Sequence, residues 1–516
     1  MDFWVYWICL ITGMTVSSLA IINYMHLFQL NSYAPRMHLT WAARNASKFW
    51  SQIFLLLLSV PIILLDHIAM PIILSFAFVI LFFFNRPVKN AKKPLVYTNR
   101  VKRMLLTALI LISGTAVLSY VVSAPYRYIA ILAVYVLSPI IPVVSNFINT
   151  PIEASVRRYY INDAKRILKA SPNLIKIGIT GSYGKTSVKY YLATLLKAKY
   201  NTLMTPESFN TPMGIVKTIR EQLRSTHEVF VCEMGARHSG DIKELCDIVL
   251  PEHGILTSIG EQHLETMKSI DTIIKTKFEL SDAVATRGVI FLNGDNTHIR
   301  GHLPGQPYQT YGLNENNDYC AYNIQVTQNG TTFSLRHKEQ VIENLQTQLI
   351  GEHNVINLAG AIAMSLHLGV SYDDVRIQLK KIVGPPHRLQ LRKQNGMIII
   401  DDSYNSNPSG CEAALKTLSL FDGYKILITP GMVELGAKQT ECNFDFGAKA
   451  ANICDYVILV GEKQTKPIFD GLTSASYAPS QVFIAGSFKE AISKAYSLET
   501  GTSKVILLEN DLPDNY

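Results

Sequence analysis

The stretch 174–187, L-I-K-I-G-I-T-G-S-Y-G-K-T-S, holds the densest set of groups able to do chemistry. A β-branched run (Ile175, Ile177, Ile179) leads into the turn Gly181-x-x-Gly184-Lys185-Thr186-Ser187, and the helix-prone segment 188–199 follows. Strand, glycine turn and helix start make a cradle for phosphate, because backbone N–H groups converge there and the helix dipole favours an anion. Lys185 adds a charge for the β/γ-phosphates, and Thr186 a hydroxyl where Mg²⁺ would sit. The wider P-loop pattern wants a glycine five positions before Gly184, and that position is Ile179. Taken alone, the turn could be an ordinary strand-to-helix connection.

The surrounding elements favour the phosphate reading. From 174 onward, short apolar strands alternate with helical segments, which predicts parallel α/β layers. The first series of strands is 175–179, 229–232, 255–259 and 289–292; the second is 397–400, 425–429, 456–460, 482–484 and 504–508, with Gly384-Pro385-Pro386 as the seam. Glu233 follows one strand and Glu261-Gln262-His263 another, at the ends where open α/β sheets bind ligands. Glu233 suits the acidic partner of a P-loop metal, although an acid after a strand is commonplace. His263 could be a metal ligand or a polar loop residue.

Composition divides the chain. Residues 1–150 carry 11 Lys/Arg against Asp2 and Asp66, and the remainder 37 against 38 Asp/Glu. The basic excess therefore lies with the apolar half, and a nucleic-acid partner has no support. Seven scattered cysteines without a C-x-x-C pair argue against a zinc site or a disulfide framework and fit a reducing compartment. Five apolar segments, 3–23, 50–65, 68–84, 104–123 and 128–148, predict a transmembrane block of about five helices; 50–65 and 68–84 could instead form one interrupted hairpin. Asp2 and the lack of a basic start speak against a cleaved signal peptide. Lys/Arg placement puts the N-terminus outside and everything after 150 in the cytoplasm, in a multi-pass protein of the cytoplasmic membrane. No span carries a run of ionisable groups, which favours an anchor over a transport path.

The expected fold is multi-domain: an N-terminal α-helical transmembrane block (1–150), a linker helix (151–172), an α/β P-loop domain (173–383) and a C-terminal α/β Rossmann-like domain (384–516). Five stretches in order, T-G-S-Y-G-K-T-S (180–187), C-E-M-G-A (232–236), E-Q-H-L-E-T with K-T-K-F-E-L (261–280), G-E-H-N-V-I-N (351–357) and D-D-S-Y-N-S-N-P (401–408), resemble the Mur ligase family. M-V-E-L-G at 432–436 adds to them, and within the family the likeness is greatest to the D-alanyl-D-alanine-adding ligases. The resemblance covers roughly 174–460.

That resemblance implies ATP- and Mg²⁺-dependent amide formation through an acyl phosphate, with an envelope precursor and an amino acid or dipeptide as partners. Carried over by position, Thr180, Gly181, Ser182, Tyr183, Gly184, Lys185, Thr186 and Ser187 hold the nucleotide phosphates, and Asn354, Asn357, Arg388 and Asp402 reach the nucleotide. Thr186 and Glu233 serve one magnesium. His263 and Lys277 serve a second, the lysine as a carbamate; without that modification Lys277 reads as a plain surface lysine. Asn210 and Thr211, with Tyr404, Asn405 and Asn407, are the substrate residues. Lys185, Lys277 and His263 are the catalytic set.

Two departures leave the acceptor open. The apolar block stands where the family's UDP-gripping domain would be, and the ending K-V-I-L-L-E-N-D-L-P-D-N-Y lacks a Lys-Gly-Ser motif. The acceptor could be a muramoyl peptide, a lipid-linked precursor or an amino-acid polymer of the poly-γ-glutamate kind. An ATP-driven transporter is the reading from another class, and a non-catalytic scaffold a third.

Overall fold

The computed structural model describes the chain apart from residues 1, 46–52, 55, 58–59, 62, 64–68, 85–93, 124–125, 208, 262–263, 285–287, 395, 405–406, 434 and 511–516. It contains two compact units, divided between Arg158 and Tyr159.

The first unit is helical: α1 (Asp2–Leu30), α2 (Pro35–Arg44), α3 (Met70–Phe84), α4 (Asn99–Val121), α5 (Tyr126–Leu137) and the first part of α6 (Ile141–Lys169). Its interior packs Val5, Tyr6, Cys9 and Val16 of α1 against Phe78 of α3 and Tyr128, Ile131 and Tyr135 of α5. Two helices, Phe3–Leu30 and Asn99–Val121, are long and apolar enough to cross a bilayer. They account for the expected segments 3–23 and 104–123. The 68–84 segment gives α3, at 15 residues short for a span, and 50–65 lies largely outside the described residues.

The fifth expected span, 128–148, is not one straight helix. α5 and α6 meet at a bend of 77°. Pro139 lies in the break and Pro142 in the first turn of α6, and a residue without an N–H, whose ring collides with the preceding turn, disfavours continuing one helix across them. The linker helix expected at 151–172 also needs correction. α6 starts at Ile141 and runs through Pro151, so that proline lies inside the helix instead of opening it.

The second unit holds two sheets. The larger has nine strands: β1 (Ile175–Thr180), β2 (Thr202–Met204), β3 (Val229–Glu233), β4 (His253–Leu256), β5 (Ile290–Asn293), β6 (Tyr308–Gly312), β7 (Tyr319–Thr327), β8 (Gly330–His337) and β9 (Gln340–Thr347), in the order β2-β3-β1-β4-β5-β6-β7-β8-β9. Strands β2 to β6 run parallel, with β7 parallel to β6; β7-β8-β9 then form an antiparallel meander. Ile177, Ile179, Val229, Val231 and Ile255 are buried where the central strands meet the helices Lys185–Leu196 (α7) and Glu352–His367. The other helices of eight or more residues here are α8 (Pro212–Gln222), α9 (Asp241–Val249), α10 (Ile270–Val284), α11 (Glu352–His367) and α12 (Tyr372–Leu379).

The smaller sheet comprises β10 (Gln390–Gln394), β11 (Met397–Asp402), β12 (Tyr424–Thr429), β13 (Tyr456–Val460), β14 (Val482–Ala485) and β15 (Lys504–Glu509). Its order is β10-β11-β15-β12-β13-β14, parallel except at the β10 edge. Helices α13 (Pro408–Ser419), α14 (Gln439–Ala450), α15 (Glu462–Ser474) and α16 (Phe488–Ser497) cover it. The order of strand 15 between 11 and 12 makes a crossover, and ligands in open α/β sheets bind outside the carboxyl ends of strands at such points. Asp402 and Glu509 are register partners at that edge.

Candidate active site

β1 ends at Thr180, whose hydroxyl donates to Met234 O at 2.9 Å, and the chain turns through Gly181 to Gly184 into α7. Gly184 has φ +83°, in the left-handed region, and a Cβ there would lie 2.6 Å from Asn357 Oδ1. Only glycine satisfies both demands. The loop is also pinned from the side: Ser182 N donates to Ser258 O at 2.7 Å, Tyr183 N to Ser258 Oγ at 2.9 Å, and Ser182 Oγ to Gly260 O at 3.1 Å. Two of the backbone N–H groups expected to face phosphate are therefore committed to the 258–260 segment. The first turn of α7, from Lys185, has N–H groups with no partner within the helix, and these are the anion donors.

Lys185 folds back on the loop, its Nζ donating to Gly181 O at 2.7 Å and Ser182 O at 2.9 Å. Burial lowers its pKa to about 8, with Arg388 adding to the fall and Glu233 opposing it. Thr186 Oγ1 donates to Glu233 Oε1 at 3.2 Å, and Asn210 Nδ2 donates to the same oxygen at 3.0 Å. Burial alone would raise the Glu233 carboxyl, but Lys189 and Lys185 hold it below the usual range. Lys189 completes this cluster, its Nζ 3.0 Å from Glu233 Oε2 with both side chains buried.

Magnesium fits this corner. Thr186 Oγ1 and Glu233 Oε1 are hard oxygen donors side by side, and Mg²⁺ is held by one or two carboxylates with phosphates and water supplying the rest. No group of three or more His, Cys, Asp or Glu among the described residues could form an all-protein cage. His263 lies outside the described residues. Lys277, on α10, is 3% exposed and so is not a surface lysine. Burial, reinforced by the charge of Lys185, holds its pKa well below the ordinary range of an amine.

A cavity of about 460 Å³ opens beside the loop, lined by Gly184, Ser187, Asn296, His353, Asn354, Asn357, Arg388, Asp402, Asn407 and Glu509 among others. It brings the first turn of α7 together with α11 and the carboxyl edge of the second sheet. Asn354 lies on its wall with both amide atoms engaged: Tyr191 OH donates to Oδ1 at 2.7 Å, and Nδ2 donates to Ile350 O at 2.9 Å. It holds α11 against α7, leaving Asn357 nearer the loop. Arg388 stacks on Tyr404, its guanidinium carbon 4.6 Å from the ring centroid. Burial raises the Asp402 carboxyl to about 6, against a Leu389 N–H donated at 3.1 Å. The preceding Asp401 is instead structural, bonded to His387 at 2.9 Å, Arg392 at 3.0 Å and Ser403 at 2.6 Å.

Of the expected substrate residues, Thr211 and Asn407 serve as helix caps, accepting from Gly214 N at 3.4 Å and Gly410 N at 3.0 Å. Asn210 faces the Glu233 carboxylate, Tyr404 is exposed under Arg388, and Asn405 lies outside the described residues. Sequence reading missed Lys189, Ser258, His353 and Glu509. Lys189 had a signal, since it stands four residues after Lys185 on one helix face; Ser258 and Glu509 are ordinary loop and strand-end residues until the fold brings them in.

Residues 179–365 match the Mur ligase middle domain and residues 387–509 the Mur ligase, glutamate ligase domain. The chain belongs to the Mur ligase family. A UDP-N-acetylmuramoyl-tripeptide–D-alanyl-D-alanine ligase of Escherichia coli K12 is 32% identical over 294 residues, 56% of this chain and 64% of that protein. The Bacillus subtilis 168 protein of the same name is 30% identical, covering 53% and 59%. A crystal structure of MurF from Acinetobacter baumannii superposes with a TM-score of 0.62 at 26% identity, covering 69% of this chain and 77% of that one. The chain thus spans under two thirds of the length of the curated relatives it matches. Mur ligases use ATP and Mg²⁺, and the P-loop, the Thr186–Glu233 corner and the cavity are the Mur ligase parts that suit them.

Proposed function

We propose that this Mur ligase forms an amide bond between a carboxylate of a peptidoglycan-type envelope precursor and the amine of an amino acid or dipeptide, at the expense of ATP. The observation that carries the reading is the single cavity joining Gly184 and Ser187 of the phosphate loop to Arg388 and Asp402 of the second sheet. The substrate carboxylate attacks the γ-phosphate to give an acyl phosphate and ADP; the amine then attacks the acyl carbon, and inorganic phosphate leaves. Two anions must meet in the first step, so positive charge around them lowers the barrier. Lys185 and the first-turn N–H groups hold the phosphates, and Arg388 faces them across the cavity. Magnesium, when bound by Thr186 and Glu233, supplies further neutralisation of phosphate charge.

Lys277 is assigned as a carbamate. Burial lowers the pKa of its amine well below the usual range, which favours the unprotonated form that adds to carbon dioxide, releasing a proton and leaving an anion beside the second metal position. His263 is its assigned co-ligand there. The boundaries at 173–383 and 384–516 are proposed as the ATP-binding and C-terminal domains.

Residues 1–150 are proposed as a membrane block with the ligase domains on the cytoplasmic side. Exposed apolar side chains support it: Leu106, Ile110, Val117 and Val121 along α4, and Phe3, Trp4 and Ile11 along α1. Such a surface suits lipid and would be costly in water. The same observation favours a lipid-linked acceptor as a second reading, since anchoring concentrates enzyme and acceptor in one layer. The test is mass spectrometry of the full-length protein in membranes, given ATP, D-alanyl-D-alanine or single amino acids, and either UDP-linked or lipid-linked precursor. Product requires both amine and ATP; phosphate release indifferent to amine would refute ligation. Preference for the UDP-linked precursor would refute the lipid-linked reading.

A further inference from the structure

Lys189 performs no step in the reaction above, yet it is the most deeply buried charge near it. Its side chain is 0% exposed and that of Glu233 1%, with Nζ 3.0 Å from Oε2. The same Nζ donates to Glu207 O, in the segment that also carries Asn210. Glu233 Oε1 is occupied in turn by Thr186 and Asn210. The carboxylate that serves the metal is therefore already neutralised by Lys189, with Oε1 hydrogen-bonded by protein groups and the ion pair alone on Oε2.

Two further positive charges act on this cluster. Lys185 acts on Glu233, and Arg388 on both Lys185 and Lys189. A free dication approaching Glu233 meets a carboxylate already paired with Lys189, with the charge of Lys185 also acting on it. A triphosphate reverses that balance by bringing several negative charges of its own.

We propose that Lys189 is the resident counter-ion of the phosphate-loop site: it occupies Glu233 in the nucleotide-free protein, so magnesium is taken up only together with nucleotide. This rests on the ATP- and magnesium-dependent reading. A buried carboxylate without a partner is strongly unfavourable, so some cation must sit there when the site is empty. Lysine suits the task because its single charge can yield to a dication that arrives with extra phosphate ligands. The Glu207 carbonyl gives the ammonium a second acceptor within the same pocket.

Calorimetric titration of the full-length protein in detergent tests this, first with MgCl₂ alone and then with MgCl₂ in the presence of ADP. The wild-type protein and Lys189→Arg should show no binding of Mg²⁺ alone in the millimolar range, and Mg²⁺-dependent ADP binding. Lys189→Met should bind Mg²⁺ alone at least about tenfold more tightly than wild type, as expected on removing a unit charge close to a dication. If Lys189→Met is unfolded without metal, Mg²⁺ alone should raise its melting temperature and restore the fold; no rescue at any Mg²⁺ concentration overturns the proposal. Equal binding of Mg²⁺ alone by wild type and Lys189→Met overturns it too. Failure of wild type to bind ADP at all would overturn the nucleotide reading instead, a separate result.

Discussion

Replacing Asp402 by asparagine should make the protein more stable at neutral pH and a poorer binder of nucleotide. Burial raises the Asp402 carboxyl from 3.8 to about 6 in the folded protein. A carboxyl whose folded pKa is raised contributes stability that is fully present below the unfolded value and is lost as pH rises through the folded one. The window is therefore roughly pH 4 to 6. The difference of about two units corresponds to on the order of 3 kcal/mol. Asp402 interacts with neighbouring Asp401 and Glu509, so the net effect at one site should fall in a band of roughly 1–3 kcal/mol. Asparagine keeps an oxygen for the Leu389 N–H and removes the charge. The assay is calorimetric unfolding of wild type and Asp402→Asn across pH 4 to 8. The stability difference in favour of asparagine should open between pH 4 and 6 and stay constant above 7. ADP affinity should fall about tenfold, the scale of one charged hydrogen bond. Parallel stability profiles across the whole range would refute the reasoning, because the carboxyl would then titrate alike in folded and unfolded chains.

Two further substitutions test the chemistry directly. Lys185→Ala should leave melting temperature within a few degrees of wild type while slowing ligation by roughly a thousandfold, the usual scale for losing a charge that meets the transition state; near-normal kcat would remove the phosphate loop from the mechanism. Lys277→Ala should lose most ligase activity and regain part of it with added acetate or propionate, which can occupy the vacated anion site; full activity without additive would leave the lysine structural.

The parallel strands were legible because their apolar residues are continuous and buried on both faces, as in 229–233 and 456–460. The meander β7-β8-β9 was not. β9, Q-V-I-E-N-L-Q-T, buries only Ile342, Leu345 and Thr347, a polar pattern that resembles a loop until its partners are known. The bend between α5 and α6 had a signal in Pro139 and Pro142 that the apolar run masked. At the site, the phosphate loop could be read from its residues together with the strand and helix that flank it, because local backbone geometry fixes its chemistry. Long-range contacts could not be read this way. Ser258 takes two loop N–H groups across 75 residues of sequence or more, and Lys189 meets Glu233 only because β1 and β3 are neighbours. Asn354 and Thr211 show the converse: residues in the right motif whose polar groups are bonded within the protein.

The features that cost this fold stability gather around one cavity. Gly184 gives up side-chain packing for a left-handed turn, and His387 and Leu389, which flank Arg388, both have positive φ at +60° and +47°. Such backbone costs of order 1 kcal/mol or more for each non-glycine residue. Asp402 is buried at the expense of its charge, and Lys277 is buried without an ion pair among the described residues, its pKa held well below the ordinary range. None of these assists folding, and the three large cores of the second unit would pack without them. On the proposed reading each has a complementary group that folding does not provide: phosphate for the turn, a nucleotide for Arg388 and Asp402, carbon dioxide and a cation for Lys277. A nucleotide bound here should therefore relieve strain as well as form contacts. Binding should also draw the two sides of the cavity together, since Arg388 and Asp402 stand on one side and Gly184 on the other.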